Sequence, residues 1–244
     1  MPPDEPAAGP GASGTIAIRR GPVRPGPTLR TERRLLRSGI TRLAGMDEVG
    51  RGAPAGPATV GLVVVDATVS PAPSGVRDSK LLSPSAREAL VPAIDAWAVA
   101  WAVGHAHPWE VDRFGVTGAL RIAGRRALAQ LPSIPDMVLL DGNHDWLSSP
   151  AVDATSSPEE DPPSVVVVTK VNADRTCASV AAASVLAKVA RDAVMVGLAR
   201  GYPDYGWDAN KGYGTVAHFD ALRRLGPTIN HRLTWRLPVG DGDG

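Results

Sequence analysis

The chain has 244 residues, with 26 Lys and Arg against 25 Asp and Glu and a formal net charge of +1. That length accommodates one well-buried domain of about 200 residues plus tails, and the charge balance excludes a polycationic coat, so any nucleic-acid contact must come from a local patch. The single cysteine, Cys177, excludes an internal disulfide and a cysteine-rich zinc module, no apolar run approaches the ~20 residues of a membrane span, and no charged leader precedes an apolar stretch; a soluble, cytoplasmic protein is expected.

Residues 1 to about 30 are rich in Pro, Gly, Ala and Arg without hydrophobic periodicity, a composition that buries too little surface to offset its ordering entropy. A disordered tail is expected, with Arg19, Arg20, Arg24 and Arg30 available to a nucleic-acid backbone. Thr31 suits the cap of a short basic helix to about Ser38, so 1–40 reads as tail and lead-in. The apolar lead-in from Ile40 to Met46 predicts a first strand ending at Asp47 and Glu48, and Ala58 to Val65 a second.

A turn-rich link carrying Asp78, Ser79 and Lys80 leads to a helix over 84–97, with Ser83 as its cap and Pro84 in its first turn. Alternation of Trp97, Val99, Trp101 and Val103 predicts a third strand buried on the face of those large residues. Apolar spacing from Val111 to Leu131 predicts an amphipathic helix with Arg121, Arg125 and Arg126 on its other faces. Met137 to Leu140 is a fully apolar strand ending in Asp141, and Val165 to Thr169 another of the buried type. Between them, 145–163 is rich in Ser, Pro and acids and reads as a flexible loop. A long helix over 176–200 follows, its Ala181, Ala182, Ala183 and Ser184 permitting close packing on the sheet.

This order predicts an α/β domain with a mixed central sheet flanked by helices over 41–200. From Gly201 to 236 the chain interleaves aromatic with basic residues, a mixture that suits stacking on nucleic acid and phosphate contact, although Trp207 and Trp235 are read as packing residues. The stretch 237–244 reads as a flexible tail. No extended apolar face is left over, so a monomer is expected.

Asp47, Glu48, Asp141 and Asp174 each fall at or just past the C-terminal end of a predicted strand. Carboxylates that converge without cysteine or paired histidines suit hard, oxygen-preferring ions such as Mg²⁺ or Mn²⁺, and such a cluster performs phosphoryl transfer through two ions about 4 Å apart. Asp174 has a rival reading as the cap of the following helix. The Gly50-Arg51-Gly52 turn offers backbone N–H groups to phosphates and hydroxyls because no side chain blocks the approach. A loop Lys is usually only solvated; Lys80 takes a phosphate role from its surroundings.

The stretches DEVGRG (47–52), DSK (78–80), LDGN (140–143), SVAAASVLAKVARD (179–192), YGWDANKGYGT (205–215) and GPTINHR (226–232) resemble, in family order, those of ribonuclease HII, the type 2 ribonuclease H family. The resemblance implies an RNase H-like fold. It also implies metal-dependent endonucleolytic cleavage of RNA in RNA–DNA hybrids and at single ribonucleotides embedded in duplex DNA, with 3′-hydroxyl and 5′-phosphate ends. Asp47, Glu48, Asp141 and Asp174 then correspond to the metal-binding catalytic carboxylates, Gly50, Arg51 and Gly52 to the turn that reads the 2′-hydroxyl, and Tyr213 to the tyrosine that stacks there. Ala173 stands where many members have glycine, Gly115 where Asn is common, and Trp235 where Phe is usual. A catalytically silent hybrid-binding module would require a lost carboxylate, and none is missing; Tyr213 and the turn argue against a DNA strand-transfer enzyme on the same fold.

Overall fold

The computed structural model describes residues 26–148 and 165–239. Most of the expected N-terminal tail, the greater part of the acidic loop and the last five positions lie outside the described residues. Thr28, placed in the tail by composition, instead bridges to Cys177, donating to the Thr176 carbonyl at 3.1 Å.

The elements run α1 (Arg30–Leu36), β1 (Arg42–Val49), β2 (Ala58–Asp66), a 3₁₀ turn (Ser79–Leu81), α2 (Pro84–Trp97), β3 (Ala100–Ala106), α3 (Pro108–Ala129), β4 (Met137–Asp141) and β5 (Val166–Lys170). They continue with α4 (Ala173–Thr176), α5 (Ala178–Ala199), a 3₁₀ turn (Pro203–Tyr205), α6 (Trp207–Asn210) and α7 (Val216–Leu225). The five strands form one sheet in the order β3-β2-β1-β4-β5. β1 pairs antiparallel with β2 and parallel with β4, and β5 extends the parallel side. The mixed sheet matches the expected fold class.

Alternation along the strands divides the core. Ala44 and Met46 join Val60, Leu62, Leu120 and Leu128 under α3, whereas Leu43, Val63 and Leu139 join Val180, Ala183, Leu90 and Ile94 under α5 and α2. α5 lies against the sheet because glycines leave room for its backbone. A Cβ on Gly61 would sit 2.5 Å from the Ala183 carbonyl oxygen, and one on Gly45 2.5 Å from the Val180 nitrogen.

Four expectations need correction. In β3 the buried residues are Ala102, Gly104 and Ala106, while Trp101 and Val99 are exposed; a Cβ on Gly104 would meet the Ala123 carbonyl at 2.0 Å, so helix proximity selects the small-residue face. β5 is an edge strand, only partly covered. Trp146 and Leu147, assigned to the flexible loop, are buried under α3, where Arg121 is also buried and donates to the Trp146 carbonyl at 3.1 Å. Thr31 does not cap α1, which begins at Arg30 after Leu29 and has no side-chain cap.

The interleaved aromatic and basic residues after Gly201 largely fold inward. Tyr205, Trp207 and Leu222 form a third small core with Met195 of α5, and His218, His231 and Arg232 are buried beside it. Burial removes these residues from any stacking surface, in contrast to the sequence expectation. Trp207 and Trp235 pack, as expected: Trp207 is fully buried and Trp235 lies against the α3-side core.

Candidate active site

β1 does not end at the expected Asp47 and Glu48. It continues through Val49, with Asp47 opposite Gly61 and Glu48 opposite Val60 of β2, and turns at Gly50, where φ is +84°. The two carboxylates therefore keep strand alternation. Asp47 shares the parity of Leu43 and Gly45 and faces α5; Glu48 shares that of Ala44 and Met46.

The parallel neighbour supplies the third carboxylate. β1 and β4 pair as far as Met46 with Leu140, so the next step of the register puts Asp47 beside Asp141. Asp141 is the last residue of β4 and faces the start of α4: its Oδ1 accepts from the Ala173 N–H at 2.7 Å and the Asp174 N–H at 3.4 Å. Asp174, in the first turn of α4, is buried and follows Asn172, whose φ of 55° lets the chain turn sharply after β5. It is not the cap of the long helix. Cys177 occupies that position, and the α5 N-terminus is satisfied by Glu32, which accepts from Ser179 N and Oγ, both at 2.9 Å.

Like charges in a dry setting leave their mark. Burial first, then the neighbouring Glu48 and Asp141, push the Asp47 carboxyl up to about 8, against the Ser184 hydroxyl and Lys80. Burial likewise raises Glu48, opposed by Arg51 at 3.4 Å, and raises Asp174, reinforced by Asp141 and Asp78. Lys80 is pulled down by burial but held above its ordinary value by Asp47, Asp78 and Asp174 together. Its ammonium lies 3.5 Å from Asp174 and 3.6 Å from Asp78.

Among the described residues no three acidic, His or Cys side chains close to metal-ligand spacing. The carboxylates converge on one end of the sheet without forming a shell, with Lys80 among them. The donor set nonetheless fits a hard divalent ion: it is all oxygen, and Asp47 Oδ2 is buried with no hydrogen-bond partner.

The substrate-facing candidates border this end. The 50–52 turn follows Glu48 directly, with Arg51 and Gly52 exposed. Tyr213 is 36% exposed, its ring backed by the Arg191 guanidinium at 5.1 Å and the Lys188 ammonium at 5.5 Å from the centroid. Sequence reading passed over Asp78, buried and paired with both Lys80 and Arg175, and Arg191 and Arg232, whose contacts are long-range. Only their places inside the quoted motifs hinted at them.

The fold is similar to that of the ribonuclease H2 of Pyrococcus horikoshii OT3 at a TM-score of 0.60 and 24% identity, covering 81% of this chain and 95% of that one. It is similar too to that of Bst-RNase HIII, solved in complex with Mn²⁺, at a TM-score of 0.56 and 22% identity over 82% and 68% of the two chains. Sheet and flanking helices thus have the ribonuclease H-like fold. Residues 44–237 match the family model for Ribonuclease HII. The chain is 44% identical over 211 residues to the Ribonuclease HII of Streptomyces avermitilis, covering 86% of this chain and 84% of that protein. It is 42% identical over 213 residues to that of Roseiflexus castenholzii, covering 86% and 88%. The chain belongs to the ribonuclease HII family and is an enzyme of the ribonuclease H class.

Proposed function

We propose that this chain is a metal-dependent endonuclease that hydrolyses the RNA strand of RNA–DNA hybrids and incises at single ribonucleotides embedded in duplex DNA, leaving 3′-hydroxyl and 5′-phosphate ends. It acts as a monomer in the cytoplasm. The observation that supports this reading most directly is the register that brings Asp47 beside Asp141 at one sheet end, next to the Gly50–Gly52 turn.

In this reading Asp47, Glu48, Asp141 and Asp174 hold Mn²⁺ or Mg²⁺. The ion supplies the positive charge that an in-line phosphodiester displacement requires at its attacking and leaving oxygens. The Ala173 and Asp174 N–H groups fix Asp141 Oδ1 and thereby orient its carboxylate. Lys80, whose side chain is 70% exposed, donates to a substrate phosphate. The 50–52 backbone reads the 2′-hydroxyl, the group by which a protein tells RNA from DNA, and Tyr213 stacks at the RNA–DNA junction with two cations behind its ring.

The test is cleavage of a DNA duplex carrying one ribonucleotide, with Mg²⁺, Mn²⁺ or EDTA, the cut mapped to the nucleotide. Metal-dependent incision on the 5′ side of the ribonucleotide is expected. Absence of incision with either metal, in folded protein that still binds the duplex, would replace the enzyme reading with a binding module.

A further inference from the structure

The buried guanidinium of Arg232 lies behind the 50–52 turn. Its Nη1 donates to the Arg51 carbonyl at 2.7 Å, and its Nη2 donates to the Gly50 carbonyl. Among the described residues no carboxylate pairs with it, and its Nε has no partner. Carbonyls and the Trp235 ring, 4.7 Å away at its centroid, surround the guanidinium, and Asp112 acts on it only from beyond ion-pair distance; a buried cation so placed is expensive to keep. Fastening the C-terminal segment does not require it, because backbone bonds already do so: Arg232 N to Pro54 O at 2.9 Å, Gly56 N to Asn230 O at 2.8 Å, and the bridge from Ala55 to His231.

Peptide geometry supplies what the charge does. No peptide bond among the described residues is cis, so each N–H points opposite to the carbonyl of its own peptide unit. The Gly50 carbonyl shares its unit with the Arg51 N–H, and the Arg51 carbonyl shares its unit with the Gly52 N–H. Both carbonyls point inward to Arg232. Both N–H groups therefore point outward, and among the described residues neither donates to an acceptor in the chain. The outer side is open: a Cβ added at Gly52 meets nothing within 4 Å. A cation on the carbonyl end of a peptide strengthens the donor at its other end, and two such donors side by side form an anion- and hydroxyl-binding concavity.

We propose that Arg232 is a specificity-positioning residue, a buried charge that aims and polarises the Arg51 and Gly52 N–H groups toward the 2′-hydroxyl of a ribonucleotide and its adjoining phosphate oxygen. The inference rests on the functional reading above and names the residue that gives the turn its selectivity.

The experiment measures binding of two duplexes, identical except for one ribose or deoxyribose, to Asp141→Asn protein with Mg²⁺. The ratio of the two affinities is the readout. Adding Arg232→Gln is expected to reduce that ratio about tenfold, the ribose duplex losing more affinity than the all-deoxy one. An unchanged ratio in folded protein, or an equal loss on both duplexes, overturns the proposal and leaves Arg232 a purely structural residue. If Arg232→Gln does not fold, Arg232→Lys decides. It keeps the charge but not the two-carbonyl fork, so an intermediate ratio supports the proposal and the parent ratio overturns it. Failure of the Asp141→Asn parent to prefer the ribose duplex would instead refute the functional reading, independently of Arg232.

Discussion

Asp141 and Ala173 are joined by a 2.7 Å hydrogen bond from the Ala173 N–H to Asp141 Oδ1, which ties the end of β4 to the turn that carries Asp174. One oxygen of Asp141 is thus structural, and the carboxylate charge is left for chemistry. Asparagine keeps an acceptor at that position. Asp141→Asn is expected to lower kcat by at least about a thousandfold while shifting stability by no more than about 0.5 kcal/mol. Single-turnover cleavage and a denaturation curve check it, and retained turnover at the same metal concentration would remove Asp141 from the mechanism.

Burial and mutual repulsion oppose ionisation of Asp47, Glu48 and Asp174. A divalent cation relieves both, so Mn²⁺ is expected to stabilise the folded protein by about 2.7 kcal/mol at a hundred times its dissociation constant. Thermal melting with increasing Mn²⁺ measures this without any substrate. The gain should shrink in Asp47→Asn, whose parent side chain holds the orphaned Oδ2; an equal gain in that variant would place the ion elsewhere.

His218 and His231 form a chain of fixed tautomers in the C-terminal core. The Thr228 N–H donates to His231 Nδ1 at 2.9 Å, so His231 carries its proton on Nε2 and donates to His218 Nε2 at 3.1 Å. His218 Nδ1–H then donates to the Tyr213 carbonyl at 2.9 Å. Burial, then the neighbouring His218, pushes His231 down to about 4, and burial lowers His218 too. The folded state therefore binds these protons more weakly than the unfolded chain. Stability is present above pH ~6.5 and is lost as pH falls toward 4, by about 3 kcal/mol at most from His231. Denaturant midpoints at pH 7 and pH 5 test this, with Trp207 fluorescence reporting on the segment; equal midpoints would refute it.

Tyr213 stands half-way out of that core, with cations behind its ring. Tyr213→Ala is expected to reduce incision at single embedded ribonucleotides by about ten- to a hundredfold, the loss of one stacked base contact, with a smaller effect on continuous hybrids. Parallel kcat/KM values on the two substrates check it. Equal losses would mean structural damage to the cluster around Arg191.

The carboxylates, the Gly-Arg-Gly turn, the order of strands and helices and the α5 face that meets the sheet were all legible in the sequence, because each is a local signal: an acid after an apolar run, a glycine pair, a stripe of alanines. Tertiary structure decided what local signals cannot carry. The α3 backbone, pressed against Gly104, chose the small-residue face of β3 and exposed Trp101. Pairing with β2 carried β1 past Asp47 and Glu48 to Val49 and left the two carboxylates on opposite faces. A carboxylate from α1, Glu32, satisfied the α5 start that left Asp174 open to two readings. Long-range contact made His218, His231 and Arg232 interior residues, although basic and aromatic side chains interleaved in a short segment read equally well as a nucleic-acid surface. Residue type sets what a side chain can bond; which of those bonds form depends on what distant segment the fold brings against it.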